Sequence, residues 1–233
     1  MTDMKLLQDM LSQGRTNFVF IGEAGCGKSE IALNFAQKAA KAAGKPVHFF
    51  DMDMTKPLFR SRDVFGADGF DGITFHYEEQ FYDAPTLVGG VRELMRDPDN
   101  LVVLDVGGDD IGARSIGGFM LGPNRSNTSI FYVLNVYRPL CRDLDHIDQI
   151  LGEILAVSHI RVDELHLIHN PNLGVETTVQ EVIDGAGRMA EILEGIGDIE
   201  LTCVKEDLAE QAEGRVGTEV LPIKLYLTYP WLQ

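Results

Sequence analysis

Eight consecutive residues carry the spacing GxxxxGK[ST]: Gly22, Glu23, Ala24, Gly25, Cys26, Gly27, Lys28 and Ser29. Glycines at these intervals let a backbone curl until its N–H groups converge on phosphate oxygens. A helix starting at the lysine adds the partial positive charge of its N-terminus. The Lys28 ammonium would then reach the β and γ phosphates of a nucleotide, and the Ser29 hydroxyl would ligate magnesium. Together with Glu30, the next residue, this is the predicted nucleotide-contacting run. Two further patterns put acids where such a ligand needs them. Asp51 and Asp53 end the run PVHFFDMD, and LVVLDVGG places Asp105 shortly before Gly107 and Gly108. An acid at Asp105 can hold magnesium through water, and the Gly108 N–H can approach a γ phosphate. By the period of two, Asp51 and Asp53 point the same way. Asp53, farther from the sheet, is the predicted base or water-orienting acid, within reach of the metal. Each acid has a plainer alternative as a turn-capping residue.

This chemistry requires a strand before the loop and a helix after it, and both are legible. Asn17 to Ile21 is an apolar run suited to a buried parallel strand, and Lys28 to Ala43 sets Ile31, Phe35 and Ala39 on one helical face, stopped by Gly44 and Pro46. Strands follow at PVHFFDMD, ITFHY, LVVLDV, IFYVLNV, ELHLIH and IELTCV. Helices are predicted from Ala84 to Arg96, with Leu87, Val91, Leu94 and Met95 inward, from Asp143 to Val157, and from Glu176 to Leu193. The sustained alternation predicts an α/β fold: one three-layer domain over 1–233, a mostly parallel twisted sheet with helices on both faces. The stretches 53–71 and 107–129 lack clear periodicity, and both follow strands that end in aspartate.

Composition narrows the function classes. Thirty-six Asp and Glu against 20 Lys and Arg give a net charge of −16, which opposes binding to nucleic acid or to anionic lipid. Residues 143–233 hold 18 acids and 5 bases, leaving 18 and 15 for residues 1–142, so a basic site belongs to the first part. No apolar run reaches the length of about 18 residues that a membrane span needs, and MTDMKLLQDMLSQGR lacks the features of a secretory signal. A cytoplasmic location is expected. Three cysteines, Cys26, Cys141 and Cys203, form no CxxC spacing, which fits a reducing compartment. The six histidines show no metal spacing, and His166 and His169 fall on opposite faces of one strand.

With its phosphate loop, an aspartate pair ending the second strand and DxxG after a later strand, in that order, the chain resembles the MinD/ParA/CobQ-type ATPases among P-loop NTPases over most of its length. The resemblance implies Lys28 and Ser29 on the phosphates and metal, Asp53 as the catalytic acid, Asp105 near magnesium, and Gly108 near the γ phosphate. It also implies adenine recognition by Asn170, which ends LHLIHN; an Asn at a strand end is equally ordinary turn chemistry. The guanine-reading N/TKxD pattern is absent there, which favours ATP over GTP.

Two departures stand out. Many members carry an early lysine that reaches across an ATP-bound dimer, and Glu23 occupies that position here. The acidic chain, ending LPIKLYLTYPWLQ as a strand and tail, also lacks the basic surface or basic amphipathic helix of partition and septum-placing relatives. Lys56, Arg60, Arg62, Arg114, Arg125 and Arg138 are expected on the phosphate rim, with Arg60, Arg62 or Arg138 as a substitute cationic finger; solvated loop arginines are the alternative. Three readings follow: an ATP-driven switch for a protein partner with a nucleotide-dependent homodimer, a small-molecule enzyme that uses ATP on an anionic substrate, and a non-hydrolysing nucleotide binder.

Overall fold

The computed structural model describes residues 4–53, 61–64, 66, 69–77, 90–108, 110–120 and 123–227, without the side chains of 62, 63, 110, 111 and 123. One sheet runs through them. Its strands are β1 (Asn17–Gly22), β2 (Val47–Met52), β3 (Ile73–His76), β4 (Leu101–Val106), β5 (Thr128–Leu134), β6 (Leu165–His169), β7 (Ile199–Lys205) and β8 (Glu219–Ile223). They lie in the order β3-β2-β4-β1-β5-β6-β7-β8, and every pairing is parallel. The expected α/β class with a parallel sheet is the observed one. β1, β4 and β5 are buried along their whole length, as strands covered on both faces must be, and this is why their sequences are almost continuously apolar.

The helices are α1 (Lys5–Ser12), α2 (Lys28–Ala43), α3 (Val91–Arg96), α4 (Asp110–Gly117), α5 (Leu144–Ser158), α6 (Val179–Ile192) and α7 (Glu206–Ala212). Two large apolar clusters cover the two faces. One joins α1 and α2 to Phe18, Phe20, Phe49, Val103 and Phe131. The other joins α3, α4, α5 and part of α6 to Val19, Ile21, Phe50, Leu104 and Tyr132. Phe35 of α2 sits among Phe18, Phe20 and Phe131 with ring centroids 4.8, 5.3 and 5.3 Å away, which seats α2 directly over β1 and β5. The connection leaving central β1 thus crosses one face, while those leaving its neighbours β4 and β5 cross the other. This switch of faces marks the carboxyl ends of these strands as the place where parallel α/β sheets bind ligands.

Several boundaries repay the sequence reading. α2 spans the predicted residues and ends at Gly44 in the left-handed region. α5 and α6 are capped by the side chains of Asp143 and Thr178, and Glu181 completes a capping box on α6. α3 is described only from Val91, with Val91 and Met95 buried; Leu87 lies outside the described residues. The stretch 107–129 holds a helix that periodicity did not reveal: α4, whose Ala113 and Ile116 are buried. α1 and α7 were likewise not foreseen. The start of α1 is capped from far away, by the Glu219 carboxylate accepting from the Lys5 and Leu6 N–H groups. No helix among the described residues is long and apolar enough to cross a membrane.

Candidate functional site

The loop from Gly22 to Gly27 joins the carboxyl end of β1 to the first turn of α2. It closes on itself: the Cys26 N–H donates to the Glu23 carbonyl at 3.3 Å, and Lys28 Nζ donates to the same carbonyl at 2.8 Å. The lysine is buried at the loop's centre, with Ser29 beside it. Gly27 has φ 98°, and a Cβ there would lie 2.1 Å from Asn170 Nδ2. Only glycine suits both the backbone angle and the neighbour. Asn170 is buried at the end of β6, and its amide donates to the Cys26 carbonyl at 2.8 Å, so it braces the loop from beneath. Behind it, Asn135 Nδ2 donates to the Asn172 carbonyl, and Asn172 Oδ1 accepts from the Gly174 N–H and the Thr177 hydroxyl. The loops after β5 and β6 are therefore tied together under the phosphate loop.

Gly108 closes the site from the other side. A Cβ there would meet Ala24 N at 2.4 Å, Ala24 Cα at 2.6 Å and Lys28 Nζ at 2.9 Å. The DxxG segment and the phosphate loop are thus in contact. Asp51 is paired directly with Asp105 in the β2–β4 ladder. By strand alternation both share the α2 side with Phe49 and Val103. Asp53 lies one residue beyond β2, and its N–H donates to Asp51 Oδ1 at 3.2 Å. All three acids are buried, at 2, 8 and 1% exposure for Asp51, Asp53 and Asp105. A side chain no pattern announced joins them: the Ser61 hydroxyl donates to Asp105 Oδ2 at 2.9 Å. The sequence offered no signal for it beyond a small hydroxyl residue in the stretch that follows Asp53.

Glu23, in place of the early lysine, turns inward. It is buried, and its Oε2 has no hydrogen-bond partner among the described residues; the Cys141 thiol is also buried and feels its charge. Burial pushes that thiol up, with Glu23 adding to the rise and the Asn135 backbone opposing it. The Tyr132 phenol nearby is also pushed up by burial. Glu30, on the first turn of α2, spends its carboxylate on the chain beyond β8, accepting from the Tyr226 N–H at 2.9 Å and the Leu227 N–H at 2.6 Å. His169 is buried with its pKa pulled down to about 3 by burial, so it is neutral near pH 7. His166, on the other face of β6, lies against Glu200.

The predicted arginine rim needs correction. Arg125 sits just before β5, at the amino edge of the sheet, and pairs bidentately with Glu164. There it lines a cavity of about 390 Å³ with Arg15, His159 and Glu200. The reason is topological: a crossover that starts at the carboxyl end of β4 must return to the opposite edge before a parallel strand can begin, so residues late in it lie far from the loop. Arg138 follows β5 at the carboxyl edge, half-buried, and Arg114 is exposed on α4. Lys56 and Arg60 lie outside the described residues, as does the side chain of Arg62. Among the described residues no group of three or more His, Cys, Asp and Glu is arranged to hold a metal by itself.

No protein-family model matches the chain, and no curated protein matches it. Among solved structures, FtsY from Mycoplasma mycoides is similar at 13% identity over 81% of this chain, with a TM-score of 0.45. The chain spans 64% of that FtsY. The BceF tyrosine kinase domain is similar at 18% identity, covering 70% of this chain and 72% of its own, with a TM-score of 0.44. The signal recognition particle 54 kDa protein of Aeropyrum pernix K1, solved with GDP, is 15% identical over 89% of this chain and 40% of its own, with a TM-score of 0.38. Identities and scores this low leave the chain's chemistry to be read from its own residues.

Proposed function

We propose that this chain binds magnesium–ATP at the Gly22–Ser29 loop and hydrolyses it slowly, as a nucleotide-driven switch for a protein partner. The observation that carries the reading is the closed loop itself, with a buried lysine at its centre and Gly108 against it. Lys28 donates to its own loop's carbonyl, a contact that a β or γ phosphate oxygen would replace with a stronger, charge-assisted one. The N–H groups at the start of α2 supply the remaining donors.

The residues fit magnesium. Ser29, Asp53 and Asp105 offer only oxygen, the donor this hard cation prefers, and the phosphates of a nucleotide would complete the set that these residues do not make alone. When bound, the ion neutralises charge on the β and γ phosphates. Ser29 would hold it directly and Asp105 through water. Asp53 would orient the attacking water and accept its proton, with Asp51 fixing the turn through the Asp53 N–H. Asn170, whose amide is engaged with the loop, serves first as its brace.

Glu23 is buried where relatives carry their early lysine, so a nucleotide-dependent homodimer of this chain would work without that exchanged lysine. A protein partner is favoured over a small substrate by Leu140, Leu144, Leu173 and Val175. These are exposed apolar side chains on the segments that leave β5 and β6 at the site's own edge, Leu144 at the start of α5.

Calorimetric titration with ADP and with a non-hydrolysable ATP analogue, in magnesium, tests the reading. Both should bind, and Lys28→Ala should weaken them about tenfold or more, or about 1.4 kcal/mol. Absence of binding by the unaltered chain, or unchanged binding by the variant, rejects it.

A further inference from the structure

Ser61 belongs to none of the sequence patterns, yet it is fully buried and spends its hydroxyl on Asp105 across 44 positions of chain. A hydrogen bond to an ionised carboxylate is short and strong, and holding one oxygen fixes the rotation of the group, so that the other oxygen has a set direction. Ser61 itself stands on a firm base. It opens a 3₁₀ turn whose Val64 is packed in the core beneath α2. Farther along, the Gly69 carbonyl accepts from Gln37 of α2 at 2.7 Å, and the Phe70 ring lies 5.4 Å from Phe75 and 5.1 Å from Tyr226. The turn that Ser61 opens is thus held in the core under α2 through Val64.

We propose that Ser61 is a positioning residue for the metal: it orients the Asp105 carboxylate that holds magnesium through water. The inference rests on the reading of this site as a magnesium–nucleotide site. Outer groups that orient ligands typically change metal affinity by about 10–100-fold when removed, without contacting the metal. A serine that merely satisfied a buried carboxylate would affect stability and leave the metal dependence of binding as it was.

The test is titration of ADP into the full chain, once in chelator and once in excess magnesium chloride, for the unaltered protein, Ser61→Ala and Ser61→Thr. Magnesium should tighten ADP binding to the unaltered chain. Ser61→Ala should bind ADP equally well in chelator but require about tenfold more magnesium to reach the tightened state. Ser61→Thr, which keeps the hydroxyl, should restore the original requirement. Ser61→Cys keeps the size with a weaker donor, and takes the place of the alanine variant should that one not fold. An unchanged magnesium requirement in Ser61→Ala, or an equal loss of affinity with and without magnesium, overturns the positioning role. If the unaltered chain binds ADP in neither buffer, the nucleotide reading fails and this role falls with it.

Discussion

Replacing Gly27 with alanine tests how the phosphate loop is held. At φ 98° the new side chain would incur a backbone cost of about 1–2 kcal/mol. Its Cβ would also lie 2.1 Å from Asn170 Nδ2, a distance no real pair of atoms sustains. The loop backbone is fixed by β1 and α2, so the Asn170 amide must swing away and give up the Cys26 carbonyl. A buried amide that gives up its acceptor costs about 1–3 kcal/mol. Gly27→Ala should therefore destabilise the chain by about 2–5 kcal/mol. In an Asn170→Ala background the clash and the bond are already gone, and the same substitution should cost only the backbone part, about 1–2 kcal/mol. The two changes should thus be less damaging together than their sum by about 1–3 kcal/mol, measurable as a double-mutant cycle in urea unfolding followed by circular dichroism. An equal penalty in both backgrounds would refute the claim that Asn170 braces the loop.

Other outcomes are expected on the same grounds. His169, neutral in the folded state with a pKa near 3 and close to 6.5 when unfolded, favours the folded chain fully above pH 6.5 and progressively less as pH falls toward 3. Between pH 7.5 and 5.5 this group should remove about 1.4 kcal/mol, read as the difference in urea midpoints between the unaltered chain and His169→Gln. Arg125→Ala should leave ADP affinity within about twofold by calorimetry, because Arg125 pairs with Glu164 at the edge opposite the loop; a larger loss would return it to the rim.

What was legible in the sequence was what local pattern encodes. NFVFIG, LVVLDV and IFYVLNV read as central strands because both their faces are covered, and α2 was readable to the residue because its start and stop are glycines with a special backbone angle. The run Gly22–Ser29 and the pair Asp105–Gly108 were visible as patterns, and the structure sets Gly108 against Ala24 and Lys28. α4 was not legible, because DIGARSIG buries only part of a short helix and carries two glycines. Ser61, the inward turn of Glu23 and the pairing of Arg125 depend on contacts 39 to 44 residues apart or on the packing beneath a loop, and no spacing rule reports those. The ladder also puts Asp51 rather than Asp53 opposite Asp105, a matter of register that the period of two alone does not determine.

Glu30, Asn34 and Gln37 lie one helical turn apart on α2, and each is engaged by the stretch Lys224–Leu227. These partners are 189 to 197 positions downstream. At roughly 5–20 residues per second, a ribosome needs on the order of 10–40 s to deliver them after α2 has emerged. Throughout that interval α2 presents a polar face whose hydrogen-bond donors do not yet exist. The order of synthesis and the order of completion are thus opposed: α2 is made well before the segment that completes its polar face.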